Sequence, residues 1–237
     1  MVKVSVIIPT YNEENYIKNC ILALRNQDYK GEYEIIVSDG NSKDNTVKIA
    51  KKFADKVVVC EKRGIASQRN AGAKVANGKI LIFVDADTIA MPNLISEFAK
   101  SLRRKNVIGV TCSILPFSME VSHQLFFQIV NLFVKSTILT KKPQVLGACC
   151  GYKKYAFEKV NGFDEKFKTL EDFDLSERIT KYGKIVFNNK TFAITSVRRI
   201  KKWGAIKSIR KYISNYFNYI LKNKTFALKE YKPIRRI

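Results

Sequence analysis

Over roughly its first hundred residues the chain alternates between two textures. Residues 4–8, 34–37, 56–60 and 80–84 are short runs rich in Val and Ile, without the in–out alternation of a strand that has one wet face. Between them, apolar positions recur three and four apart. One such helical segment starts at Glu13-Glu14, with Asn12 as its cap and Ile17, Ile21 and Leu24 on one face; the others cover 46–54, 66–76 and 94–104. Continuous apolar strands separated by amphipathic helices predict an α/β fold, a doubly wound and mostly parallel sheet flanked by helices with right-handed crossovers.

Beyond Asn106 the alternation loosens. Residues 107–115 predict a strand, 121–139 a strongly apolar helix and 145–152 a short strand. An amphipathic helix over 170–182, ended by Gly183, precedes two short strands at 184–187 and 191–195 and a last helix over 203–221. No repeat, low-complexity tract or Pro/Gly linker interrupts the chain. The expected organisation is one domain over 1–200, with halves meeting near 105, and a basic amphipathic extension over 201–237.

In an open parallel sheet, ligands bind beyond the carboxyl ends of the strands. Pro9-Thr10-Tyr11-Asn12-Glu13 follows the first strand, Ser38-Asp39-Gly40 the second, Lys62-Arg63-Gly64 the third and Asp85-Ala86-Asp87 the fourth. Tyr11 offers a flat ring to a nucleobase, Asp39 can accept from a base N–H, and Arg63 or Arg69 can meet a diphosphate. Asp85 and Asp87, two apart on an extended backbone, would project to one side and suit Mg²⁺ or Mn²⁺, hard cations that prefer oxygen. Asp39-Gly40-Asn41 is also a good tight-turn sequence, so the strength of the reading lies in four polar strand ends at one edge.

These residues resemble a known family. VSVIIPTYNEE, VSDGNSKDNT and RGIASQRNAGAKVANGKILIFVDADT, followed by GFDEKF and LEDFDLSERI, are similar to the family 2 glycosyltransferases of the GT-A fold, over about residues 2–199. The resemblance implies a nucleotide-sugar-binding half over 1–105 and an acceptor half over 106–200. It puts Pro9, Thr10, Tyr11, Glu13 and Asp39 at the nucleotide, and makes Asp85-Ala86-Asp87 the DxD metal and diphosphate motif. Glu171-Asp172 becomes the acidic pair, with Asp172 as general base for an inverting displacement. Glu171 and Asp172 also read as an ordinary helix start capped by Thr169. Several family members carry a late histidine ligand. Here Ser196 stands near that position, and the only histidine is His123.

Charge and cysteine content then narrow the setting. The net charge of +22 calls for an anionic partner. From Arg198 onward thirteen Lys or Arg residues face one acid, Glu230, and residues 206–221 interleave Ile, Tyr and Phe with Lys207, Arg210 and Lys211. That pattern is expected of a helix lying on an anionic membrane surface. The apolar segment around Phe126, Phe127, Ile129, Leu132 and Phe133 would either pack in the core or meet lipid. Gly147, Arg198, Arg199 and Trp203 are expected at the acceptor or diphosphate rim. Five scattered cysteines predict no disulfide framework, and neither a secretory signal nor a spanning segment is visible. The expected location is cytoplasmic, peripheral to the inner face of the cell membrane. The expected partners are a UDP- or GDP-linked sugar and a glycan or lipid-linked acceptor. Asp172 favours an acceptor hydroxyl over a polyprenyl phosphate, which is already an anion and needs no base. Without zinc spacing or an RNP-like motif, nucleic acid is not expected as a partner.

Overall fold

Strand β1 (Val4–Thr10) is buried along its whole length, and its side chains feed two cores. Val4, Val6 and Ile8 join one apolar cluster and Ile7 the other; in β4 (Ile80–Val84), Ile80, Ile82 and Val84 face the first while Leu81 and Phe83 face the second. A strand covered on both faces has no wet side, which is why these runs show no alternation. The computed structural model describes residues 3–140, 142–167 and 169–221. The part of the expected basic extension beyond residue 221 lies outside the described residues.

In chain order the elements are β1, α1 (Ile17–Arg25), β2 (Tyr33–Asp39), α2 (Thr46–Phe53), β3 (Lys56–Val59), α3 (Ile65–Lys74), β4, β5 (Thr88–Ala90) and α4 (Leu94–Arg103). They continue as β6 (Val107–Pro116), α5 (Val121–Ile138), β7 (Cys149–Lys153), α6 (Lys154–Lys159), α7 (Glu171–Ile179), a 3₁₀ turn Thr180–Tyr182, β8 (Lys184–Thr195), α8 (Arg198–Trp203) and α9 (Ala205–Leu221). The eight strands form one sheet in the order β3-β2-β1-β4-β7-β6-β8-β5. β3, β2, β1 and β4 are mutually parallel, β7 runs antiparallel to both β4 and β6, and β6 is parallel to β8. Six strands therefore point one way, with β7 and the short β5 reversed. The antiparallel β7 matters for function, because its beginning lies at the same edge as the ends of its parallel neighbours; Cys149 pairs with Val84.

Helix α3 lies close on β1 and β2 because Gly72 has no side chain: a Cβ there would come within 2.4 Å of Ile7 Cγ2. Helix α5 is amphipathic. Phe126, Phe127, Asn131 and Val134 face inward, and Ile129 and Leu132 are exposed.

Several sequence expectations need correction. Asn12 does not cap α1. It takes a left-handed φ of 54° and its side chain accepts from the Lys43 N–H, while α1 begins at Ile17. The strand expected over 145–152 starts at Cys149, since the Gly147 backbone bonds to the side chains of Asp172 and Arg69 instead. The two strands expected at 184–187 and 191–195 are one strand with a register break, where Cys112 pairs with Asn188 but Ser113 with Phe192. The last helix, α9, starts at Ala205 rather than Trp203, and an unexpected short helix, α8, precedes it, parted from it by Gly204 at φ 80°. The N-cap position of α7 falls to Leu170 rather than Thr169, in the left-handed region at φ 65°.

Candidate active site

The strand ends converge as the parallel order requires. Thr10 and Asp39 are register partners, and Thr10 Oγ1 donates to Asp39 Oδ1 at 3.0 Å. Asp39 is fully buried and also takes the Ser42 N–H on Oδ2 at 2.7 Å, so its carboxylate shapes the loop after β2. Gly40 lies against Gln68, whose Nε2 donates to the Thr10 carbonyl at 2.6 Å. Pro9, one residue before the end of β1, is buried and pairs with Ser38. Further out, the Arg63 guanidinium stands 5.2 Å from the Tyr11 ring centre. A flat ring backed by a cation at a strand-end cleft can sandwich a base.

Asp85 and Asp87 do not lie on an extended backbone. The Asp85 carbonyl accepts the Thr88 N–H at 3.0 Å, so 85–87 is a tight turn between β4 and β5, with Ala86 buried within it. Each carboxylate meets an arginine. Asp85 Oδ1 is 3.0 Å from Arg69 Nη2, and Asp87 Oδ2 is 3.0 Å from Arg198 Nη2. Burial pushes the Asp87 carboxyl up; Arg198 and Arg199 hold it down and Asp85 adds to the rise. Arg198 also grips Glu13 with both Nη atoms, at 2.8 and 2.7 Å, and lies 4.9 Å from the Tyr16 ring centre. The Glu13 N–H is held by Thr46 Oγ1 at 2.7 Å. Ser196 comes beside this turn through its backbone, donating to the Asp87 carbonyl at 3.2 Å.

Arg69 is not placed for a diphosphate, contrary to one of the sequence readings. Its side chain is 1% exposed, and it donates to Glu171 Oε1 at 2.8 Å and to the Gly147 carbonyl at 2.9 Å as well as to Asp85. Burial alone would pull its pKa down, but the carboxylates of Asp85 and Glu171 raise it instead. The guanidinium rests 5.2 Å from the Phe163 ring centre. Gly147 sits at the middle of this network. Its N–H donates to Asp172 Oδ2 at 2.9 Å, and a Cβ there would come within 2.7 Å of Arg69 Nη2 and 3.0 Å of Asp172 Oδ2.

Asp172, in the first turn of α7, takes the Phe173 N–H on its other oxygen at 2.9 Å and remains partly open to solvent. Dense surroundings push its carboxyl up to about 7; Glu171 adds to the rise, while Arg69 and the two backbone N–H groups oppose it. A carboxylate that titrates near neutrality is suited to accepting a proton. The left-handed Leu170 sets the entry of α7, its side chain packed with Phe167, Phe173 and Tyr219. Backbone strain of this kind costs about 1 kcal/mol or more and collects where side chains must be aimed.

Among the described residues, no three His, Cys, Asp or Glu side chains are grouped to hold a metal. Asp85 and Asp87 supply hard oxygen donors, and Mg²⁺ is ordinarily held by one or two carboxylates plus substrate phosphates. A divalent cation therefore fits as one bound together with a phosphorylated ligand.

Comparison with known proteins gives the site its family. The model for glycosyl transferase family 2 matches residues 5–161, well over half of the chain. The chain belongs to that family. A dolichyl N-acetylglucosaminyl phosphate glucuronosyltransferase of Methanococcus voltae is 27% identical over 235 residues, covering 91% of this chain and 71% of the relative. Two solved structures share the fold. TarS of S. aureus with UDP-GlcNAc has a TM-score of 0.66 at 24% identity, over 82% of this chain and 58% of that one. A mannosyltransferase of Pyrobaculum calidifontis with GDP-Man and Mn²⁺ has a TM-score of 0.67 at 21% identity, over 89% and 64%. The first curated relatives are matched over 26% to 72% of their own length.

Within this family 2 fold, the structure brings together Thr10 with Asp39, Tyr11 with Arg63, Glu13 and Asp87 with Arg198, and Asp85, Gly147, Glu171 and Asp172 around Arg69. Arg199 is close enough to influence Asp87. Trp203 lies at the other end of α8 from Arg198, with Lys211 Nζ of α9 3.9 Å from its ring centre. Sequence reasoning missed the role of Phe163 beneath Arg69 and that of Gln68 on the Thr10 carbonyl. Gly40, set between Asp39 and Asn41, was the available signal for Gln68, since it marks a close approach.

Proposed function

We propose that the protein moves a sugar from a nucleotide-sugar donor to an acceptor hydroxyl, by an inverting in-line displacement, on the cytoplasmic face of a membrane. The observation that carries this is the Arg69 network, which ties a carboxylate of the 85–87 turn to the acidic pair on α7. Tyr11, Arg63 and the Asp39 loop would bind the base and ribose side of the donor. Arg198 and Arg199 would turn to the diphosphate. Asp87 and Asp85 would hold Mg²⁺ or Mn²⁺, which when bound supplies charge neutralisation to the departing nucleoside diphosphate. Asp172 accepts the proton of the attacking hydroxyl, and its N–H partners keep the carboxylate oriented as the proton arrives.

The relatives favour this reading within limits. The archaeal relative is named for a lipid-linked N-acetylglucosaminyl phosphate, which offers a sugar hydroxyl. The two fold neighbours were solved with UDP-GlcNAc and with GDP-Man and Mn²⁺. Among the described residues no helix is long and apolar enough to cross a membrane.

The test is transfer from labelled UDP- and GDP-sugars to lipid-linked glycans across a pH series. Asp172 must be ionised to act as base and its carboxyl is raised, so activity should fall as pH drops through about 7. Asp172→Asn should lose about 10²–10⁴-fold in rate while binding nucleoside diphosphate normally. Full activity of Asp172→Asn on polyprenyl phosphate itself would instead make the protein a synthase of lipid-phosphate sugars.

A further inference from the structure

Helix α5 turns one face to the core and leaves a second apolar face outside. Val121, Leu125, Ile129 and Leu132 lie along it, Leu132 at 69% exposure, and Phe117, Met119 and Leu139 at its two ends are 76%, 93% and 90% exposed. Leu139 follows the helix, and Phe117 and Met119 precede it. Helix α9 packs against α5 and has an outward face of its own, with Ile206 at 71% and Phe217 at 53% beside exposed Lys207, Arg210 and Lys211. The inner face of α9 is fixed by Ser208 near its start and by Tyr219, whose hydroxyl donates to Glu177 Oε2 of α7 at 2.8 Å. Soluble surfaces rarely gather this many large apolar side chains in one place.

Charge identifies the occupant. Residues 117–142 and 198–221 contain ten Lys or Arg and one acid, Glu120. A second copy of the chain would set like charges against each other across the two-fold contact. The same holds for the chain's own residues 222–237, with six Lys or Arg and one Glu. Apolar side chains among cations match an anionic lipid leaflet, where the former enter the acyl boundary and the latter meet headgroups.

We infer that the outward faces of α5 and α9 form one surface that docks on an anionic bilayer. It rests on the membrane-surface reading above and names the residues that carry it. Helix α8 joins this surface directly to Arg198 and its ion pairs with Glu13 and Asp87, so the donor edge is held next to the lipid that would present the acceptor.

The experiment is flotation of the full chain with phosphatidylglycerol-containing vesicles and with phosphatidylcholine vesicles, at low and high salt. The wild type should float with the anionic vesicles and less so at high salt. The triple variant L125Q/I129Q/L132Q should lose about tenfold or more in partitioning for each large side chain removed. It should still bind nucleoside diphosphate, which shows that it is folded, and L22Q on the exposed side of α1 should float like the wild type. If the triple variant floats as well as the wild type, the assignment to α5 is wrong while the membrane reading stands on the basic helix alone. If the wild type floats with neither vesicle, both fail. A wild-type dimer in solution that the triple variant dissolves would make the face a contact between copies and overturn the inference.

Discussion

Arg69 and Arg198 each close on one carboxylate of the 85–87 turn, but they arrive by different routes. Arg69 projects from within α3, is almost sealed from solvent, and has acceptors on three separate elements, with an aromatic ring beneath it. Arg198 begins a six-residue helix bounded by Gly204, is 15% exposed, and holds Glu13 and Asp87 at the open side of the turn. One guanidinium is part of the framework that fixes the candidate base. The other is a counter-ion at the more open side of the turn, where the proposed metal–diphosphate ligand would have to displace it.

Breaking that comparison starts with Arg69. Arg69→Ala leaves Glu171 buried beside Asp172 without a cation, and should lower unfolding stability by about 3–5 kcal/mol in urea titrations. Arg69→Lys should recover only part of this, because an ammonium cannot reproduce the fork to Glu171, Asp85 and the Gly147 carbonyl. Arg198→Ala should cost less, about 1–2 kcal/mol. Equal losses for the two alanine variants would erase the distinction between framework and counter-ion. A smaller effect sharpens it. With Asp87 no longer shared, Arg198→Ala should take up Mn²⁺ alone several-fold more tightly than the wild type, as measured by calorimetry. Unchanged or weaker uptake would mean that Arg198 does not compete with the cation.

The first half of the sheet was legible because each strand is buried on both faces, so its apolar run is unbroken and its polar residues begin where the strand ends. Asp85, Asp87, Asp39 and Tyr11 could be found on that ground alone. The second half was read less well for physical reasons. β5 is only three residues long, too short to show any pattern, and the break inside β8 looks like a gap between two strands. Gly147 falls in an apolar run that resembles a strand, yet its backbone is used by Arg69 and Asp172. The role of Arg69 was hidden because helical position gives no account of what a long side chain reaches across the sheet. Asp172 could be named by family likeness, whereas its aim depends on Leu170 in a conformation that residue type does not announce.

The central claim is a nucleotide-sugar site whose metal is shared between the 85–87 turn and the donor's phosphates. It is tested most directly by calorimetric titration of the wild type and Asp87→Ala with UDP and GDP, each with and without Mn²⁺. The account predicts that one nucleoside diphosphate binds, more tightly with Mn²⁺, and that Asp87→Ala loses this gain. If neither binds under any condition, or if binding ignores both the metal and Asp87, the account is contradicted.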